Sequence, residues 1–131
     1  MAIKKRVDYE SPDGFQIFEN EMPVAGVHAR ISACTAFIKG KKHQIAWARE
    51  PNNAHDSNAI RIVGTTKGLF GTKQRFLGYV PAEVSARIAA GDWFDSLIPR
   101  LRFMRISDDG YVEITFDIIG PKGEKKSYFG E

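Results

Sequence analysis

The chain has 131 residues, 43% of them hydrophobic and 27% charged, which is enough for one packed domain and too apolar for a disordered segment. Its apolar runs are too short to cross a bilayer, its basic start lacks the apolar segment of a secretory signal, and one cysteine excludes an internal disulfide framework or a cysteine zinc site. The net charge of +3 conceals a division: residues 1–29 hold three Lys/Arg against five Asp/Glu, residues 106–131 three against six, and residues 30–105 thirteen against five.

Residues 1–20 read as a loosely ordered arm. A β pattern starts at Met22, and PVAGVHARISACTAFI (23–38) reads as a strand rich in small and β-branched residues. Gly26 within it marks a bulge or a close backbone approach, and Cys34 reads as a buried structural thiol rather than a nucleophile. KGKKH (39–43) reads as a lysine-rich hairpin loop with Gly40 free to take positive φ. QIAWARE (44–50) is the next strand, PNNAHDSN (51–58) a polar connection with three asparagines, and AIRIV (59–63) a further strand.

GTTKGLFGTKQRF (64–76) carries three glycines and three basic residues and reads as a long mobile loop or hairpin, before a short strand LGYV (77–80). Pro81 opens a helix, PAEVSARIAA, whose Val84 and Ile88 join Val80 on one buried face, and Gly91 ends it. Asp92 caps a second short helix, WFDSLI, which Pro99 stops. RLRFMRI (100–106) is a strand with Arg100 and Arg102 on one face, Leu101 and Phe103 on the other. YVEITFDIIG (111–120) alternates, with Val112, Ile114, Phe116 and Ile118 inward and Glu113, Thr115 and Asp117 outward. The tail from Pro121 is polar and frayed unless Tyr128 and Phe129 dock it. This inventory describes a mainly β protein with six strands and one or two short helices, and a small, mostly antiparallel β-barrel fits it best.

WAREPNNAHDSNAIRI followed by FLGYVPAEVSARIAA resembles the HIRAN domain family. Arg49, Glu50, Pro51, Asn52, Asn53, Asp56, Asn58, Ala59 and Ile60 match its loop pattern, Gly78 and Glu83 match further on, and VAGVHAR (24–30) resembles its first strand. The resemblance spans roughly residues 22–120. It implies an OB-like β-barrel over residues 21–120, with residues 1–20 as an arm and 121–131 as a tail. It also implies DNA as partner, since the family occurs fused to DNA translocases that remodel stalled replication forks, and in that setting grips the 3′ end of single-stranded DNA. No Gly-x-x-x-x-Gly-Lys-Ser/Thr phosphate loop occurs in this sequence, so a motor acting with it, or another repair enzyme such as a nuclease, is a separate chain.

Carried over by position, the resemblance implies that Asn53 and Asp56 hold a terminal nucleotide and its 3′-hydroxyl, with His55 a flat ring beside them and Tyr79 standing where the family has a histidine. The first strand departs: His28, Ala29 and Arg30 stand for Arg-Tyr-Tyr, and Ala82 replaces a lysine. A lost ring matters, because a base stacked on an aromatic side chain contributes about 1–3 kcal/mol.

The residues also have a reading of their own. A carboxylate is repelled by phosphates but accepts a hydrogen bond from a terminal sugar hydroxyl, which suits Asp56; Asn53 can donate and accept. Asn and Asp equally build turns by bonding their own backbone, and both readings stand for Asp56 and Asn58. Arg49 can pair with Glu50 or Asp56 or contact phosphate. Trp47, Phe103 and Phe116 read as core. Lys39, Lys41, Lys42, Lys67, Lys73 and Arg75 fit a phosphate backbone or simply a soluble surface.

His28, His43, His55 and Asp56 show no metal-ligand spacing and no nucleophile–base pair stands out, so neither enzymatic activity nor a metal or other cofactor is expected. The expectation is a cytoplasmic DNA-binding module. The alternative is a protein-interaction module that docks a replication or repair enzyme through a barrel edge or the 64–76 segment.

Overall fold

The computed structural model describes residues 2–131. Within them run β1 (Ile3–Arg6), β2 (Phe15–Pro23), α1 (Ile31–Lys39), β3 (Gln44–Arg49), β4 (Ile60–Gly68), β5 (Gly71–Tyr79), α2 (Ala82–Ala90), β6 (Ile98–Ile106), β7 (Val112–Pro121) and α3 (Lys125–Tyr128). The chain is mainly β and antiparallel, as expected. It has seven strands among the described residues, not six, and they form two sheets, β1-β6-β7-β2 and β3-β4-β5, rather than a closed barrel.

The seam between the sheets explains the missing closure. Past the end of β2, Val24 N still donates to Ile114 O of β7 at 2.9 Å, while Ala25 exchanges two hydrogen bonds of 2.8 and 2.9 Å with Tyr79 of β5. Gly26 then takes φ +81°, and the chain turns into a 3-10 turn (Val27–Arg30) and α1. Among the described residues, this one isolated bridge joins the two sheets. The expected strand over 23–38 is thus corrected: its second half is a helix. Small residues at 33–36 satisfy either period, and the buried set Cys34, Phe37 and Ile38 follows helical spacing. α1 lies over both sheets. Phe37 lies so close over β4 that a Cβ on Gly64 would come within 2.6 Å of its ring. Cys34 is fully buried, as expected of a structural thiol; it donates to Leu77 O at 3.3 Å, and burial pushes the thiol up to about 11.

Other expectations shift for local reasons. Of the two readings of residues 64–76, the hairpin holds and the mobile loop does not: β4 and β5 continue through them, Thr66 pairing with Lys73 and Gly68 with Gly71. KGKKH joins α1 to β3 rather than two strands, and Lys42, not Gly40, takes positive φ; Gly40 lacks a Cβ because Thr66 would stand 2.7 Å from it. Asp92 takes φ +54° and the expected second helix is a 3-10 turn, Phe94–Ser96. An irregularity between Leu101 and Phe103 in the β6–β7 ladder moves Met104 into the core. Phe103 is left half-buried under Arg6, 5.6 Å from its ring centroid. Trp47 is half-buried and stacks on Phe94 at 5.3 Å, whereas Phe116 is core as expected.

Both chain ends pack. Asp117, expected outward, is fully buried because residues 9–21 cover it: Tyr9 Oη donates at 2.6 Å and Glu21 N at 2.7 Å, with Arg102 Nε at 3.3 Å. Glu19 on β2 accepts from Arg87 Nη1 at 2.6 Å and from Tyr128 Oη at 2.7 Å, which docks α3 into the core. Among the described residues no helix is long and apolar enough to cross a membrane.

Candidate nucleic-acid interface

The connection from β3 to β4 is shaped by its own short polar side chains. Glu50 N donates to Ala59 O at 2.9 Å, Asn53 N to Glu50 O at 3.0 Å and Ala59 N to Asp56 O at 3.1 Å. Asn53 Oδ1 accepts from His55 N at 2.9 Å and Asp56 N at 3.1 Å, and Asp56 Oδ1 accepts from Asn58 N at 2.9 Å. These are Asx turns, in which a side chain takes the place of a backbone acceptor.

Glu50 ties this loop to β5. Its Oε1 accepts from Asn53 Nδ2 at 3.0 Å and from Tyr79 Oη at 2.8 Å, and its Oε2 faces Arg61 Nε at 3.8 Å. The two hydrogen bonds hold the Glu50 carboxyl below its ordinary range, and the same bond raises the Tyr79 phenol. Tyr79 is aimed by Gly78, where φ is +154° and a Cβ would stand 2.2 Å from Ala25 O. Only glycine permits that approach, and with it the bridge between the sheets.

An open groove of about 340 Å³ lies along this loop, lined by Ala25, Arg30, Asn53, His55, Asp56, Ala59, Tyr79, Val80 and Ala82. The Arg30 guanidinium lies 4.1 Å from the Phe76 ring centroid and 5.3 Å from that of Tyr79. Arg61 lies 4.7 Å from Phe76, and Phe76 meets Tyr79 edge-on at 5.3 Å. Two cations and two rings thus form one stack beside the groove, in which each cation–ring contact is worth about 0.5–1 kcal/mol where exposed. Part of each guanidinium is already engaged within the protein: Arg30 Nη1 donates to Gly26 O at 3.2 Å, and Arg61 turns Nε toward Glu50.

Of the residues singled out by sequence, the groove brings together Arg30, Asn53, His55, Asp56 and Tyr79, along with Ala82. His28 is exposed on the 3-10 turn and packs on Tyr111 at 4.8 Å, outside the groove lining. Arg49 covers Phe94 at 4.6 Å and lines a separate groove with Pro51 and Asn58. Lys73 and Arg75 line a cleft of about 420 Å³ on the β4–β5 hairpin with Lys67, and Lys41 O receives Lys67 N at 2.9 Å, so the loop carrying Lys41 and Lys42 lies against that stem. The basic residues therefore form two groups. Sequence reading missed Phe76 and Arg61 altogether and gave Glu50 no part in the site. Phe76 fell at the end of a segment read as a loop or hairpin; continuing the alternation of Ile60 and Ile62 through Gly64 and Thr66 favours the hairpin and puts Phe76 on a strand.

The chain is a two-sheet antiparallel β module with a polar loop groove beside its seam, and a family model described as the HIRAN domain matches residues 23–91. The chain belongs to the HIRAN domain family. Among solved structures it is similar to the HIRAN domain of human HLTF, with 17% sequence identity, a TM-score of 0.49, and coverage of 88% of this chain and 87% of that one. No curated protein matches it.

Proposed function

We propose that this domain is a DNA-binding module, without catalytic activity of its own, that grips single-stranded DNA and receives a 3′-hydroxyl end in the Asn53–Tyr79 groove. One observation carries the reading: residues far apart in sequence, Arg30, Asn53, His55, Asp56 and Tyr79, line one groove. His55 is exposed and offers a flat ring to a base. Arg30 stands where the family resemblance has a tyrosine and offers a stacked guanidinium whose edge suits a phosphate. Asp56 uses Oδ1 on Asn58 N, while Oδ2 makes no hydrogen bond among the described residues. A carboxylate oxygen suits a terminal hydroxyl and disfavours a terminal phosphate. The Asn53 side chain has its two donors and its acceptor oxygen engaged within the protein, so it shapes the groove. With DNA as ligand we take the domain to act in the cytoplasm, beside a separate repair or replication enzyme.

The test compares short single strands ending in 3′-hydroxyl or 3′-phosphate by fluorescence anisotropy across a salt series. Wild type should prefer the hydroxyl end by about tenfold, the worth of one hydrogen bond to a charged group. Asp56→Ala should bind both ends alike. Equal binding of both ends by wild type would remove end capture and leave a general single-strand grip, and no binding to either would remove the DNA reading.

A further inference from the structure

The β4–β5 hairpin ends in eight consecutive exposed residues, 67–74. At its tip stand Leu69 and Phe70, 92% and 98% exposed, between the paired Gly68 and Gly71. Two-residue hairpin turns ordinarily carry Asn, Asp or Gly, and an apolar pair there costs solubility without helping the fold. Gly71, at φ +116°, supplies the backbone freedom, which leaves Leu69 and Phe70 without a folding role.

Below the tip the stem is cationic. Lys67, Lys73 and Arg75 line one cleft, Arg75 Nη1 donates to Thr66 Oγ1 at 3.2 Å, and the 39–43 loop adds Lys41 and Lys42. No acid occurs between Asp56 and Glu83. None of these five cations forms an ion pair among the described residues. An apolar tip alone would suit a protein, a lipid surface or a second copy. A tip on a narrow ribbon flanked only by cations suits a duplex, in which a stack of apolar bases lies between two rows of phosphates. Such side chains kink DNA by entering a base step from the minor groove, a groove that β-ribbons also occupy.

We infer that the hairpin is a second DNA contact, in which Leu69 and Phe70 wedge between base pairs of a duplex while Lys67, Lys73 and Arg75 neutralise the flanking phosphates. This rests on the DNA-binding reading above and adds the double-stranded part of the ligand. β5 runs from the tip to Tyr79 of the groove, nine residues spanning about 27 Å of strand. That length equals about eight steps of B-form duplex, so the wedge meets the duplex within about that distance of the held 3′ end.

The test uses a duplex with a short 3′ overhang and 2-aminopurine scanned through the steps beside the overhang. Wild type should raise the emission severalfold at one or two neighbouring steps. Leu69→Ser with Phe70→Ser should abolish the rise and weaken duplex binding about tenfold, while single-strand binding changes less than about twofold. Both side chains are exposed, so an unchanged melting temperature is expected and shows that the variant folds. Lys73→Ala should lower the duplex salt slope by about 0.9 without altering the fold. Unchanged emission beside tight single-strand binding would overturn the wedge and spare the groove reading. Loss of binding to every DNA would overturn both. Tip-dependent self-association or capture by anionic vesicles, with emission unchanged, would overturn the wedge and give the tip to a second copy or a lipid surface.

Discussion

A single oxygen, Glu50 Oε1, receives the Tyr79 hydroxyl at 2.8 Å and the Asn53 amide at 3.0 Å. If charge alone governed DNA binding, removing this acid would tighten it. The geometry argues the reverse, because without Glu50 the loop is untied from β5 and Tyr79 loses its anchor. Glu50→Ala should therefore weaken single-strand binding about three- to tenfold despite the added positive charge, and Glu50→Gln, which keeps an acceptor, should stay near wild type. Tighter binding by Glu50→Ala in a titration would sink the anchor. The pH dependence has a definite sign. A carboxyl whose folded pKa is lowered contributes fully above its ordinary value of 4.5, and the contribution is lost only as pH falls through the lower folded value. The tie therefore survives into mildly acidic buffer. At this scale the sequence singled out Asn53 and Asp56 without fixing what either does. Both turn-building and ligand contact suited them, and only the hydrogen bonds separate Asn53, fully engaged, from Asp56, which keeps one oxygen unused.

Among the elements, α1 shows most plainly where sequence patterns lose their power. Its stretch of Ala, Cys and Thr has no dominant period, and the helix is chosen by what lies beneath it: Gly64, which accommodates Phe37, and Leu77, whose carbonyl takes the Cys34 thiol. The clean alternation of β7 was legible because large apolar residues declare their face, yet Asp117 was misassigned because its cover comes from residues about a hundred positions away. The C-terminus of α1 also depends on partners outside the helix. Lys5 Nζ on β1 donates to Ile38 O at 2.6 Å and to Gly40 O at 3.2 Å, and His43 Nε2 lies 2.9 Å from Phe37 O. A cation at the carbonyl end of a helix is favourable, and here it also pins the first strand. Burial, aided by the Lys5 charge, lowers the His43 pKa below 6.5. Its contribution is then fully present above 6.5 and declines as pH falls through the lower folded value. Melting temperature should fall between about pH 7 and pH 5, and His43→Gln, which keeps a donor but does not titrate, should flatten that part of the profile. An equal fall in both proteins would show that another group sets it.

Across the whole molecule, the acidic ends and basic middle legible in the sequence become a division between the two sheets. The acids of the ends bind arginines on or beside the four-stranded sheet: Glu19 with Arg87, Glu21 with Arg6 and Arg102, Asp117 with Arg102, Glu113 with Arg105. On the three-stranded sheet the ion pair among the described residues is Glu50 with Arg61, while Lys67, Lys73 and Arg75 have none. The net charge of +3 therefore understates the field on one side of the molecule. Two charge reversals separate this from a general excess of positive charge. Lys73→Glu and Glu113→Lys change net charge by two in opposite directions at exposed or half-exposed positions. If net charge governed, the first should weaken and the second strengthen DNA binding by similar factors. The division between sheets requires an asymmetric result. Lys73→Glu should lower duplex affinity by about tenfold or more and reduce the salt slope by about 0.9 for each duplex phosphate that is no longer neutralised, whereas Glu113→Lys should leave the slope unchanged and shift affinity by no more than about twofold. Anisotropy titrations of both variants over one salt series decide it, and equal and opposite shifts would show that the polyanion meets the molecule without regard to face.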